Sequence, residues 1–287
     1  MTEEWTIKKL LDWTTGYFKK FNIEWPHLEA EILLSHALAL PRIQLYVQFE
    51  RVLKDDELAK YKALILRRSK REPIAYITGH QPFMSLDLEV NSSVLIPRPE
   101  TEKLVEVAIE AAKGIEKPLI ADIGVGSGAI AVSLAKHLPQ AELIGTDSSV
   151  EALEVVKKNA DKTGVSDRCK FLSGDLFAPL DGYKGKFDIV VSNPPYIKTG
   201  EIDKLQPEIK FEPRGALDGG EDGLKFYRII SAQAAEYIKS GGFLILEVGM
   251  GQAQDVVKLI EGTKRFQSSK IIKDLSGIDR VVTSKRT

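Results

Sequence analysis

The sequence predicts an α/β protein: a doubly wound, seven-stranded sheet with a reversed last strand, preceded by a small all-helical domain and joined to it by a β-hairpin. Three observations carry this. From Pro118 onward, short β-branched runs alternate with segments of helical spacing. A glycine-rich turn, Gly124-Val125-Gly126-Ser127-Gly128, links the first run to the helical segment after it. The last two runs, 267–273 and 279–283, are parted only by a turn around Leu275-Ser276-Gly277, too short for a parallel crossover, so they must pair antiparallel.

Taken in order, Ile7, Leu10, Leu11, Tyr17, Phe18 and Phe21 recur at helical spacing and predict a first helix over 5–21. Pro26 suits the first turn of a second helix, which Pro41 ends. A short third helix is expected over 42–49. A fourth begins at the acidic Asp55-Asp56-Glu57 and closes on Arg67-Arg68-Ser69-Lys70-Arg71, read as a solvated last turn favoured by the helix dipole. These four make a helical domain over 1–78, expected to recognise the substrate. Alternation over 84–90, a turn at Asn91-Ser92-Ser93 and a return through Val94-Leu95-Ile96 predict the hairpin, placed as a linker over 79–97. The third domain spans 98–287. It opens with a helix through Lys113, followed by strands at 119–123, 142–146, 169–173, 187–192 and 242–248 and helices at 127–137, 150–162, 223–239 and 251–261.

Composition narrows the function. Lys+Arg 40 against Asp+Glu 41 gives a formal charge of −1, which argues against a general polyanion-binding surface, so no nucleic-acid partner is expected. The single cysteine, Cys169, excludes an internal disulfide and fits a reducing compartment. Four scattered histidines without a Cys/His cluster give no structural zinc site, and no metal is expected. The charged N-terminus lacks an apolar signal core, and no run approaches the ~18 apolar residues of a membrane span. A soluble, cytoplasmic protein is expected.

The glycine turn by itself is ambiguous, because Gly124, Gly126 and Ala129 also satisfy the dinucleotide pattern. The helix after it is expected to receive a carboxylate at its N-terminus. Asp147, at the end of the second strand and 23 positions after Gly124, is placed to accept from ribose hydroxyls or to cap the helix starting at Val150. Asp175 and Leu176 follow the third strand, where the edge and face of an adenine would lie, and Asp122 could reach an amino group. An acid at each of three strand ends suits a ligand with a ribose, an adenine and a cationic amino-acid tail, as in S-adenosylmethionine. The cofactor-binding set is therefore Gly124, Val125, Gly126, Ser127, Gly128, Asp147, Asp175, Leu176 and Asn193.

The fourth strand, Ile189-Val190-Val191, must stop at Ser192-Asn193, because Pro194 and Pro195 donate no ladder hydrogen bond. The two prolines send the chain out along one rigid path that presents the Asn193 amide, the Pro194 carbonyl and the Tyr196 ring. Two acceptors and a flat ring form a receptacle for a planar NH2 group, so Asn193, Pro194 and Tyr196 are the catalytic candidates and Asn193, Pro194, Pro195 and Tyr196 the substrate-binding ones. The long aperiodic segment 197–223 is assigned to gripping the substrate, with an ordered cover as its structural alternative. Arg98 and Glu100 are read as structural ion pairs slightly ahead of pocket wall.

On these residues the chain resembles the class I S-adenosylmethionine-dependent methyltransferases, and Asn193-Pro194-Pro195-Tyr196 resembles the motif of those that methylate planar nitrogens. More narrowly, it resembles the peptide chain release factor glutamine methyltransferases through stretches 71–79, 94–102, 122–131, 193–196 and 211–224. Val125 stands where that family commonly has Thr, and Gly215 where it commonly has a larger apolar residue. The resemblance implies methylation of the glutamine amide in the Gly-Gly-Gln motif of release factors 1 and 2. The glutamine methyltransferases of ribosomal protein L3 share the corner but usually lack the Arg98-Pro99-Glu100-Thr101-Glu102 form. Nucleic-acid base methyltransferases, the other alternative, also use such a corner, and a nucleotide-binding dehydrogenase would leave it without a role.

Overall fold

The computed structural model describes residues 4–287. The chain divides into two compact units, Met1–Gly79 and His80–Thr287.

The first unit holds α1 (Ile7–Lys19), α2 (Pro26–Leu38), α3 (Arg42–Val47), α4 (Asp55–Ser69) and α5 (Ile74–Thr78). Ile7, Leu10, Leu11 and Phe18 of α1 enter a core with Leu33, Leu34, Leu45, Tyr61 and Ile65, as the helical spacing requires. The Tyr61 hydroxyl in this core donates to the Ala30 carbonyl at 3.1 Å. Two expectations need correction. The basic end of α4 is no solvated turn: Arg68 is only 4% exposed and pairs with Glu29, while Arg67 grips Glu72 through two N–H groups. Arg71 donates to the carbonyls of Phe21 and Asn22 at 2.9 and 2.7 Å. Guanidinium groups reach that far because their stems bury while their forks find acceptors. Helix α5 was not foreseen; Pro73 fixes its start and Gly79, at φ 80°, its end.

The second unit begins with a hairpin, β1 (His80–Phe83) and β2 (Leu86–Glu89), that turns at Met84-Ser85 rather than at Asn91-Ser92-Ser93. Both turn residues have positive φ, 47° and 61°, the geometry that matches the twist of a two-residue hairpin. Residues 94–97 form no strand; there the Ile96 N–H donates instead to Glu212 Oε2 at 3.2 Å. The hairpin is fastened to its own unit: Asn159 exchanges two hydrogen bonds with the Glu89 backbone, at 2.7 and 2.9 Å, and Phe83 and Leu88 enter the core.

The sheet comprises β3 (Leu119–Ile123), β4 (Glu142–Asp147), β5 (Cys169–Ser173), β6 (Phe187–Ser192), β7 (Ile238–Glu247), β8 (Phe266–Lys273) and β9 (Asp279–Arg286). Its order is β5-β4-β3-β6-β7-β9-β8, with β9 running antiparallel to both neighbours. The pleat sends Ile120, Ile189 and Val191 to one face and Ala121, Ile123 and Val190 to the other. Helices α6 (Glu102–Ala111), α7 (Ala129–His137) and α8 (Val150–Thr163) cover the first face, and α9 (Lys225–Tyr237) and α10 (Ala253–Gly262) the second. Winding departs from β3 towards β4 and β5 on one side and resumes at β6 on the other. The crevice at the carboxyl ends of β3 and β6 is therefore the switch point where such sheets bind ligands. No helix among the described residues is long and apolar enough to cross a membrane.

Candidate active site

At that switch point lies a cavity of about 370 Å³. Its wall includes Gly124, Val125, Gly126 and Ser127 from the turn after β3, Asp147 from β4, Asp175 and Leu176 after β5, and Asn193, Pro194 and Pro195 after β6. These segments, far apart in the chain, converge because each leaves the carboxyl end of a parallel strand. Gly128 and Tyr196 lie outside the wall. Gly128 serves packing, for a Cβ there would meet Val156 at 2.4 Å and Val132 at 2.9 Å.

The glycine turn does not offer a row of free amides. Gly124 and Val125 both donate to the Thr146 carbonyl at 2.9 Å, Gly126 donates to Asp147 Oδ2 at 2.9 Å, and Gly128 donates to the Val125 carbonyl at 2.8 Å. The Ala131 N–H in the first turn of α7 is taken by Asp122 Oδ2 at 3.1 Å. The Ser127, Ala129 and Ile130 N–H groups meet no acceptor among the described residues, and all three residues line the cavity, so the start of α7 keeps donors for a carboxylate. What the turn presents is bare backbone: at Gly126, φ 53°, a side chain would be strained, and open space stands where its Cβ would point. Val125 lines the cavity and is buried against Gly145, where a Cβ would meet its side chain at 2.9 Å.

Asp147 is not the helix cap; Ser149 is, accepting from the Ala152 N–H at 3.0 Å. Asp147 instead accepts from Ser149 through Oδ1 and from Gly126 through Oδ2, both at 2.9 Å. This fixes the carboxylate and leaves further lone pairs for a ligand hydroxyl. Asp122 is fully buried and its Oδ1 has no donor among the described residues, so desolvation pushes its carboxyl up to about 7, against the Ala131 hydrogen bond and with the nearby Asp147 adding repulsion. An unmatched carboxylate beneath a Cβ-free loop, with a second acid at the next strand end, fits a ligand that carries a cationic amine and ribose hydroxyls.

The corner after β6 is held from several sides. Ser192 Oγ donates to the Ile123 carbonyl at 2.6 Å, pinning the end of β6 to the end of β3. Asn193 Nδ2 donates to Thr101 Oγ1 at 3.3 Å. Among the described residues no donor reaches Asn193 Oδ1 or the Pro194 carbonyl. Tyr196 turns its hydroxyl inward to Glu247 Oε1 at 3.4 Å, and burial raises its pKa. Its own carbonyl accepts from Gln252 Nε2 at 3.0 Å.

Residues 197–223 close over this corner. They are mostly 3-10 turns, Thr199–Lys204, Pro207–Phe211 and Arg214–Ala216. The Ile197 N–H donates to the Leu217 carbonyl at 3.0 Å and the Gly219 N–H returns a bond to Ile197 at 2.8 Å. A Cβ at Gly219 would lie 2.7 Å from the Tyr196 Cα, so only glycine permits that approach. Hydrogen bonds from Thr199 and then from the Gly220 N–H hold the Asp218 carboxyl below its usual range. Arg98 pairs with Glu212, whose side chain is 1% exposed and also takes the Ile96 N–H. That pair is structural within the second unit, and Arg98 also borders the cavity. Two residues the sequence reading left without a role, Thr101 and Glu247, stand behind Asn193 and Tyr196. For Glu247 the sequence offered an acid near the end of a buried strand and the stretch Glu247-Val248-Gly249, which supports the resemblance only weakly.

Known proteins resemble this chain along most of its length. A family model described as the PrmC N-terminal domain matches residues 9–79, and one described as the methyltransferase small domain matches residues 101–210. The release factor glutamine methyltransferase of Geobacter sulfurreducens is 48% identical over 98% of both chains. Its counterpart in Moorella thermoacetica is 43% identical over 98% of this chain and 99% of that one. Among solved structures, the catalytic domain of hMettl16 in complex with MAT2A 3'UTR hairpin 1 superposes with a TM-score of 0.58, at 14% identity, covering 82% of this chain and 83% of that one. At that identity the likeness speaks to the fold alone. With relatives this similar along nearly its whole length, and the glycine turn, the strand-end acids and the Asn193-Pro194 corner gathered on one cavity, the chain belongs to the release factor glutamine methyltransferase family.

Proposed function

We propose that the protein methylates the side-chain amide nitrogen of the glutamine in the Gly-Gly-Gln motif of peptide chain release factors 1 and 2, in the cytoplasm. The observation that carries this reading is the corner itself: Asn193 and Pro194 line the same cavity as the glycine turn, with two acceptors that no donor among the described residues occupies. A primary amide brings two N–H donors, and this pair matches them.

S-adenosylmethionine, when bound, supplies a methyl group already activated as an electrophile on a sulfonium. The glycine turn and Asp147 are assigned to hold it, with Asp175 and Leu176 at its base and Asp122 beneath its charged tail. The amide nitrogen is a poor nucleophile because its lone pair is delocalised into the carbonyl. Asn193 Oδ1 and the Pro194 carbonyl take its two N–H groups, fix its plane and leave it more electron-rich. Acceleration then comes from orientation and preorganised dipoles rather than from a strong base. Tyr196, outside the cavity wall, is assigned to set the exit direction of the corner. The 197–223 segment and the helical first unit are assigned to recognising the folded release factor.

Incubating the protein with labelled S-adenosylmethionine and a panel of purified release factor, ribosomal protein L3 and DNA tests this reading. Label on the release factor glutamine is expected. Label confined to protein L3 or to DNA overturns it.

A further inference from the structure

The mechanism above leaves one buried acid without a task. Glu247 is 1% exposed at the end of β7, and the pairing of Ser192 with Leu246 in the β6–β7 ladder sets it beside Asn193. Its Oε1 accepts from the Tyr196 hydroxyl at 3.4 Å. The nearby Thr101 hydroxyl favours the charged form of this carboxyl without an aligned hydrogen bond to either oxygen, and among the described residues no donor reaches Oε2. The same Thr101 oxygen receives the Asn193 Nδ2 at 3.3 Å. We infer that Glu247 is a positioning residue that sets the polarity of a Glu247–Thr101–Asn193 relay, so that the corner offers the Asn193 oxygen, and not its NH2, to the substrate.

Donors and acceptors at this corner must match in number. An ionised carboxylate only accepts, so the single proton of Thr101 is drawn to Glu247. Thr101 Oγ1 is then left as an acceptor, and the Asn193 amide must turn its nitrogen towards it. A planar amide with its nitrogen committed at one end presents oxygen at the other. Were Glu247 neutral, or a glutamine, it would carry a donor of its own. Thr101 could then donate to Asn193, the amide could turn over, and two NH2 groups would confront each other. Burial pushes the Glu247 carboxyl up to about 7, against Thr101, Arg280 of β9 and Tyr196, with Glu100 adding repulsion. Tyr227 of α9 donates to the Glu247 backbone carbonyl at 2.9 Å and leaves the carboxyl free to respond.

This inference rests on the amide-methylation reading for its consequence but not for its geometry, and the test separates the two. In the full-length, cofactor-free protein, the side-chain amide resonances of Asn193 are followed by NMR from about pH 5.5 to about pH 8.5, a span chosen to bracket the Glu247 transition. They should titrate with a midpoint near 7 in the wild type and in Asp122→Asn, which silences the other carboxyl raised to about 7 on neighbouring β3. They should stay flat when Glu247→Gln or Thr101→Val is added to Asp122→Asn. In parallel, with release factor as substrate at about pH 8, Glu247→Gln and Thr101→Val should lose roughly 10²-fold in single-turnover rate, the scale of one misdirected polar group at a reacting centre. Cofactor affinity should hold, and Thr101→Ser should restore the rate. A flat wild-type Asn193 signal, or a Glu247→Gln enzyme turning over at the wild-type rate, overturns the relay. A wild-type enzyme inert on release factor overturns the substrate reading instead, and the NMR titration alone then decides the relay.

Discussion

Asp147 Oδ2 accepts the backbone N–H of Gly126 at 2.9 Å, so the acid that ends β4 also fastens the glycine turn after β3. Cofactor affinity should therefore depend on this carboxylate twice, through the loop it holds and through the hydroxyls it accepts. Asp147→Ala should weaken S-adenosylmethionine binding by about 1.5–3 kcal/mol, the range for hydrogen bonds to a charged acceptor. Calorimetric titration checks this, and unchanged affinity, or preferential binding of NAD, contradicts it.

Asp122 predicts a conflict between stability and binding. Its carboxyl is raised to about 7, so the folded chain holds a proton there that the unfolded chain has already lost above its ordinary value of 3.8. Stability from this group is complete at acid pH and is lost as pH rises through about 7, the reverse of a salt-bridged aspartate. Glu247, raised from 4.5 to about 7, acts with the same sign. Asp122→Asn should raise the Tm of the free protein at pH above about 7, flatten its pH dependence and weaken cofactor binding. Thermal melts across pH with and without cofactor read both effects, and a lowered Tm at alkaline pH contradicts the account.

The helical first unit exposes Trp13 (49%) and Trp25 (63%), and Trp13 stacks on Tyr17 with ring centroids 5.1 Å apart. Exposed tryptophans are common anchors of protein recognition. A Trp13→Ala, Trp25→Ala double variant should lose about tenfold or more in kcat/KM on full-length release factor, the cost of about one hot-spot residue. Methylation of a short Gly-Gly-Gln peptide should stay unchanged. Equal activity on the full-length substrate would deny this face a recognition role.

Much of this was legible in the sequence, and the failures share a cause. Strands β3, β5 and β6 have the expected limits because buried β-branched runs and the flanking glycines and prolines are local signals. Asp147 and Asn193 could be picked out because each ends a strand at the switch point. The hairpin was misplaced because Asn91-Ser92-Ser93 has turn composition, whereas the real turn bends through Met84 and Ser85, held by the Met84 N–H on Glu102 and by Asn159 on Glu89. Arg68 was read as solvated because its partner Glu29 lies far away in the chain. Glu247 is brought beside Asn193 only by the β6–β7 register, and Thr101, inside the Arg98–Glu102 stretch, only by the fold that lays that stretch against the corner.

The central claim is that Asn193 presents an acceptor to a substrate amide. Asn193→Ala removes that acceptor while Ser192, the two prolines and the glycine turn keep their own partners. The decisive measurement is the single-turnover rate of methyl transfer to release factor for wild type and Asn193→Ala, alongside Tm and cofactor affinity. The account predicts unchanged Tm and affinity with a rate lower by ~10²–10³, the cost of removing one preorganised hydrogen-bonding group. A folded, cofactor-binding Asn193→Ala protein that transfers the methyl group at the wild-type rate would contradict it.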